Sequence, residues 1–194
     1  KAAIVITGDT FHNKSKVETP GIMLFNKLMN NLGQLAPVYV ILGNHDFRQE
    51  KIDNNIDFLQ AFEYSSYKNV YFLQKTGLYK ANNIGFGLVS VKETLSIGSG
   101  SGIAEHIRDF PDPSAFSKYQ DITTTVALFH GTMKQSKFSE NRVTNDGYSW
   151  DWMDIGYNIA LLGDIHKKQV FPERKSGLIA GYSGSLIQQN FGES

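Results

Sequence analysis

The chain has 194 residues, with 19 Lys plus Arg against 19 Asp plus Glu and no cysteine. That length suits one domain with room for a core. The balanced charge singles out no partner class, and the absence of thiols excludes disulfides and thiolate metal sites. No apolar stretch approaches the ~20 residues of a membrane span, and nothing at the start reads as a signal peptide. An intracellular protein, cytoplasmic or nucleoid/nuclear, is therefore expected.

Residues 2–7 (Ala-Ala-Ile-Val-Ile-Thr) read as a buried strand ending in Gly8-Asp9-Thr10-Phe11-His12. After a polar loop, Thr19-Pro20 reads as a helix start, with a capping hydroxyl and proline at the first helical position. Ile22, Phe25, Leu28, Met29 and Leu32 follow at helical spacing, and Gly33 fits a C-terminal cap. Residues 38–42 (Val-Tyr-Val-Ile-Leu) are short, continuous and apolar, as expected of a strand covered on both faces. They stop at Gly43-Asn44-His45-Asp46, an amide, an imidazole and a carboxylate delivered together. A short helix is expected over 56–62, and strands over 70–73, 78–80 and 84–89.

The Gly/Ser run 97–103 imitates a phosphate cradle but lacks the Gly-Lys-Ser/Thr ending, so a loop is expected. The Pro-containing stretch 109–117 also reads as loop, and His106 as a surface histidine. Residues 123–129 form a β-branched strand ending in His130-Gly131. Residues 158–162 form another, ending in Gly163-Asp164-Ile165-His166. The segment 178–186 reads as a strand followed by a tight turn. Both ends look cut: residue 1 enters a strand at once, and 190–194 stop without a closing element. The expectation is one domain, 1–194, taken from a longer protein and missing its first strand.

Four of the five histidines thus lie within a few residues of the end of an apolar strand. In open α/β sheets, ligands bind beyond the carboxyl ends of the strands. A polar turn explains any one of these loops, but it explains the repetition poorly. Carboxylates, imidazoles and an amide, without sulfur, favour divalent Mn, Fe, Zn or Mg. Two such ions bridged by a carboxylate are the usual centre of a two-metal hydrolase.

The order Gly-Asp-x-x-His, Gly-Asn-His-Asp, His-Gly and Gly-Asp-x-His resembles the calcineurin-like metallophosphoesterase superfamily over nearly the whole chain. Gly8-Asp9-Thr10-Phe11-His12 and the tail Gly184-Ser185…Phe191-Gly192-Glu193 are similar to its DNA-repair nuclease branch, the SbcD type. The Gly-Asp-x-x-Asp-Arg-Gly and Gly-Asn-His-Glu of protein phosphatases are absent. The resemblance implies a four-layer αββα sandwich of two mixed sheets flanked by helices, and a manganese-dependent exo- and endonuclease of DNA repair or recombination. Mg, Fe and Zn are the alternative metals.

By motif, Asp9 would bridge two ions, Asn44 and His130 would bind one and His166 the other. Asp164 stands where a histidine ligand is usual, and a carboxylate there favours harder ions. His45 would protonate the leaving oxygen with Asp46 holding its ring, and His12 would contact the substrate phosphate. The family's Asp-x-His, which precedes Gly-Asp, is expected upstream of Lys1. Lys14, Lys134, Lys167 and Lys168 could contact phosphates. The implied partners are DNA, an SbcC-type coiled-coil ATPase and a second copy bound through helices 20–32 and 56–62, with no membrane. A phosphatase or nucleotide phosphodiesterase on the same fold, and a non-catalytic structural subunit, are the competing expectations.

Overall fold

A computed structural model describes residues 2–12, 16–46, 59–63, 65–95, 109–140 and 142–186. The elements follow in the order β1 (Ile4–Ile6), α1 (Thr19–Leu35), β2 (Val38–Ile41), α2 (Gln60–Glu63), β3 (Val70–Leu73), β4 (Gly77–Ala81), β5 (Ile84–Val89) and α3 (Val91–Leu95). Then come β6 (Thr124–His130), β7 (Lys137–Ser139), β8 (Arg142–Val143), β9 (Ile159–Gly163), β10 (Gln169–Val170) and β11 (Ile179–Tyr182).

Two main sheets result. The smaller is parallel, in the order β1-β2-β3, with Ile4 beside Val38 and Val38 beside Val70. The larger runs β10-β11-β9-β6-β5-β4; its four inner strands are parallel and both edge strands antiparallel. The sheets share one apolar layer. Tyr39, Ile41 and Leu73 of the small sheet pack with Phe86, Leu88, Val126 and Leu128 of the large one. On the other face of the small sheet, Val38, Val40 and Leu42 meet Phe25 and Met29 of α1. Alternate side chains of β2 therefore enter two different cores. That is why 38–42 is apolar throughout rather than alternating.

The outer cover of the large sheet is not a long helix among the described residues. It is built from loops and 3-10 turns that bring Phe110, Met133, Trp150, Met153 and Tyr157 against Ala127, Phe129 and Ala160. The stretch expected as loop at 109–117 contains one such turn, Pro113–Lys118. Asp112 caps it, accepting from Ser114 N at 2.8 Å, and Phe116 is buried against Gly85. Loop composition here conceals an anchored turn. No described helix is long and apolar enough to cross a membrane. The Gly/Ser run, His106, most of the expected helix 56–62 and the tail 187–194 lie outside the described residues.

Helix α1 departs from the sequence reading at both ends. Its N-cap is Glu18, whose side chain makes no cap bond and instead meets Lys16 at 3.3 Å; Thr19 is already helical. The helix then runs through Gly33 to Leu35. Gly33 is a contact residue rather than a terminator. A Cβ there would lie 2.2 Å from the Lys68 carbonyl oxygen, and Asn69 Nδ2 donates to the Gly33 carbonyl at 3.1 Å. Gly33→Ala should therefore lower stability by about 1–3 kcal/mol through backbone overlap, although alanine is the better helix former. Urea unfolding of the two proteins measures this, and a more stable variant would refute the close-contact reading.

Candidate metal centre

The parallel strands of both sheets deliver their following loops to one edge of the sandwich. The small sheet contributes Gly8-Asp9 after β1 and Gly43 to Asp46 after β2. The large sheet contributes His130 at the end of β6 and Asp164 after β9. His130 joins them. Its Nδ1 lies 2.7 Å from the Thr7 carbonyl oxygen. A carbonyl only accepts, so Nδ1 carries the proton and donates it. The opposite nitrogen, Nε2, then faces three oxygens: Asn44 Oδ1 at 3.3 Å, Asp9 Oδ1 at 3.4 Å and Asp164 Oδ1 at 3.9 Å.

The His130 side chain is 1% exposed, while Asp9 and Asp164 keep 24% and 28%. Solvent thus reaches the carboxylates but not the imidazole. Burial pushes His130 toward its neutral form. The hydrogen bond and charge of Asp9, the Thr7 carbonyl and Asp164 outweigh it, and the net displacement is upward. For Asp9, burial works upward, but His130 and the His45 amide hold the carboxyl below its ordinary range. His45 N donates to Asp9 Oδ1 at 2.9 Å. The cluster is built to hold positive charge at Nε2.

A proton satisfies that demand, and so does a cation placed among one nitrogen and three oxygens. That donor set, with one neutral imidazole fixed by a carbonyl behind it, suits a hard or borderline divalent ion. Among the described residues, no three His, Asp or Glu side chains make a ready cluster on their own. The amide of Asn44 completes the set, and the contacts around Nε2 are wider than coordination distances. The residues fit a divalent ion in kind, in hydrogen-bonded rather than metal-bound spacing.

Asp9, Asn44, His130 and Asp164 therefore come together. His166 follows two residues after Asp164; its carbonyl accepts from Ser185 N at 2.9 Å, which ties the turn after β11 to the loop after β9. His45 Nδ1 lies 2.7 Å from the His12 carbonyl oxygen, and the two imidazoles stack at 5.6 Å and 18°. The expectation that Asp46 holds the His45 ring is not met. Asp46 is fully buried, and its two oxygens accept from Gly43 N at 2.8 Å and Phe11 N at 3.1 Å. Burial pushes its carboxyl up to about 6, with the two amides pulling the other way. It fastens the loop after β1 to the loop after β2, and the His12 carbonyl orients His45 in its place.

Of the lysines expected at phosphate, Lys134 and Lys168 are exposed, and Lys14 lies outside the described residues. Lys167 departs from expectation: it is 7% exposed and pairs with Glu140 at 2.5 Å. It braces the segment around β7 and β8 rather than projecting to solvent. Sequence reading missed Thr132, whose hydroxyl donates to Asp164 Oδ2 at 2.8 Å, and Tyr182, whose hydroxyl donates to the Gly131 carbonyl at 2.8 Å and accepts from Met133 N at 2.9 Å. Neither belongs to a spacing pattern. Tyr182, an aromatic on the strand expected at 178–186, gave only the general hint of a buried phenol in need of a partner.

This sandwich, with acidic, amide and imidazole side chains gathered at one strand-end edge, has the layout of a metallophosphoesterase domain. Residues 1–168 match the calcineurin-like phosphoesterase family, and the chain belongs to it. That family is one of hydrolases, typically with two metal ions. A protein of Acanthamoeba polyphaga mimivirus, described as uncharacterized protein R555, is 34% identical over 199 residues, which cover 98% of this chain and 13% of that protein. The chain thus spans a small part of that relative's length.

The two neighbours in Gly-Asn-His-Asp should separate cleanly on substitution. Asp46→Ala strands two buried amides and should cost about 2–4 kcal/mol of stability. His45→Ala, at a partly exposed ring, should stay within about 0.5 kcal/mol. Chemical denaturation of both variants tests this, and equal losses would mean that Asp46 is not the loop fastener.

Proposed function

We propose that this chain is the catalytic domain of a metal-dependent phosphodiesterase acting on DNA, the exo- and endonuclease subunit of a repair or recombination complex. The observation that carries the hydrolase part is the convergence of Asp9, Asn44 and Asp164 on His130 Nε2. The nuclease part rests on Gly8-Asp9-Thr10-Phe11-His12, with His12 beside His45 at the rim of the site.

Asp9, Asn44, His130 and Asp164 would hold one ion, and Asp9 with His166 would contribute to a second. When bound, such ions lower the pKa of water and neutralise charge on the phosphate oxygens. The chain's own residues do the rest. Asp9 is kept ionised by His130 and by the His45 amide. His45 has Nδ1 committed to the His12 carbonyl, so Nε2 is its free proton-transfer atom. In its protonated form it gives that proton to the leaving oxygen as the phosphorus–oxygen bond breaks. Exposed Lys134 and Lys168 supply positive charge for the backbone of a long anionic substrate.

The resemblance also carries the partner proposals, an SbcC-type coiled-coil ATPase and a second copy of the chain. Leu24, Leu28 and Leu35 form one stripe along α1 and are 68%, 37% and 78% exposed, with Met23 beside them at 67%. We propose that this stripe meets its counterpart on the second copy. Light scattering of the intact protein should give a dimer, and Leu24→Glu with Leu28→Glu a monomer; a monomeric wild type overturns the proposal.

Activity is tested on the intact protein with Mn²⁺ against linear duplex DNA, an aryl phosphodiester and an aryl phosphomonoester. Cleavage of DNA and the diester is expected; hydrolysis of the monoester alone would identify a phosphatase instead. His45→Gln should lower the rate by about 10²–10⁴-fold with metal content unchanged by elemental analysis. Asp9→Asn should lose metal. Equal metal loss in both variants would make His45 a ligand rather than the acid.

A further inference from the structure

The carboxylate of Asp164 is held in a defined orientation. Asp164 follows the last residue of β9 and has φ +91, a region that side-chain-bearing residues rarely adopt. No regular element fixes its rotamer. Its Oδ2 accepts the Thr132 hydroxyl at 2.8 Å, while Oδ1 lies on the His130 Nε2 side at 3.9 Å. A carboxylate in this place could offer an ion both oxygens, or swing toward solvent. With one oxygen tied, a single oxygen is offered to the cluster.

Thr132 is itself held from several directions. Its carbonyl accepts from Tyr148 N at 2.9 Å, and Lys134 N donates back to the Tyr148 carbonyl at 2.9 Å. Gly147, at φ +110, admits this approach; a Cβ there would lie 2.3 Å from the Thr132 oxygen. On the other flank the Tyr182 hydroxyl bonds both Gly131 O and Met133 N, and Tyr182 is 2% exposed. Gly131 N also donates to the Gly163 carbonyl at 3.3 Å, so the loops after β6 and β9 are joined beside the Thr132–Asp164 bond.

We infer that Thr132 is a positioning residue for the metal centre, holding Asp164 so that one oxygen, Oδ1, is aimed at the cluster around His130 Nε2, where one nitrogen and three oxygens suit a divalent ion such as Mn²⁺. The inference rests on the metal reading of the site given above. Hydrogen bonds to a ligating carboxylate fix its direction and restrain its alternatives, and their loss commonly weakens metal binding without removing a ligand.

The test is Mn²⁺ affinity of the intact protein, by titration calorimetry and by the electron paramagnetic resonance of free Mn²⁺. Thr132→Val keeps the shape and removes the hydroxyl; it should weaken binding by about 10–100-fold, whereas Thr132→Ser, which restores the hydroxyl, should return to within about two-fold of wild type. Asp164→Ala and the Asp164→Ala/Thr132→Val double variant should bind equally, because the hydroxyl acts only through that carboxylate. Wild-type affinity in Thr132→Val, equal loss in the Val and Ser variants, or a further loss in the double variant would each overturn the assignment while leaving the metal reading intact. A wild-type protein that takes up no Mn²⁺ would overturn both.

Discussion

The centre depends on one wedged imidazole. His130 leaves the end of β6 with Nδ1 bonded to the Thr7 carbonyl, across the gap between the two sheets. Around the ring stand Gly8, Gly43 and Gly163. A Cβ on Gly8 or Gly163 would lie 2.4 or 2.6 Å from Nδ1, and one on Gly43 would lie 2.8 Å from Cε1. No side chain fits at those three places while the ring is there. The glycines that close the apolar runs of β1, β2 and β9 thus share the ring as a neighbour, and at Gly43 and Gly163 the main chain presses closer still, with Asp9 N and Thr7 O at 2.1 and 1.9 Å from where a Cβ would lie. Each lets its loop come to ring-contact distance of the same histidine, and Asp9, Asn44 and Asp164 are carried in with them.

Closeness on this scale is achieved in strained backbone. Gly8, Asp9 and Asp164 have φ of +93, +53 and +91. Glycine adopts such values freely, but at the two aspartates each costs on the order of 1–3 kcal/mol. The strain persists because hydrogen bonds over-determine it. Asp9 Oδ1 accepts the His45 amide, Asp164 Oδ2 accepts the Thr132 hydroxyl, and Asp46 ties Gly43 to Phe11 from below. Three carboxylates at one edge would repel one another. Asp46 is buried beneath the loops on two amides, while Asp9 and Asp164 share His130 and are each held by a donor of their own, the His45 amide and the Thr132 hydroxyl. The site's net preference for positive charge is the result.

Much of this architecture was legible in the chain. The strands at 70–73 and 84–89 appear with the expected bounds, and those around 38–42, 123–129 and 158–162 shift by a residue at their ends. Continuous apolar runs survive translation into structure because both faces of the inner strands are covered, while Val70–Leu73, at a sheet edge, leaves Tyr71 exposed. The short pairs Lys137–Ser139 with Arg142–Val143, and the strand Gln169–Val170, carry no such signal. They are held by side chains: Gln169 Oε1 accepts from Lys137 N, and Gln169 Nε2 donates to the Lys137 carbonyl, both at 2.9 Å. Gly33 misled for a related reason. A glycine at the end of a helical period predicts a cap, but the need for it here comes from the Lys68 carbonyl, 35 residues away in sequence and invisible to any local pattern.

The same distinction explains which parts of the site were read and which were not. The gathering of Asp9, Asn44, His130 and Asp164 could be anticipated because carboxylates, an amide and an imidazole at strand ends are side chains, and side chains are what a sequence spells. The groups that aim the two central imidazoles are main-chain carbonyls, Thr7 for His130 and His12 for His45. Any residue supplies a carbonyl, so neither partner leaves a mark in composition or spacing. Given a carboxylate one residue after His45, assigning it the orienting task is natural, yet adjacency in a tight turn works against it. Asp46 bonds back to Gly43 N, three residues earlier, and reaches down to Phe11 N, which directs its carboxylate into the protein while His45 faces the rim. A carbonyl also orients without adding charge. Had Asp46 faced His45, a third carboxylate near Asp9 and Asp164 would have opposed the ionised state of Asp9; placed underneath, it fastens the loops after β1 and β2.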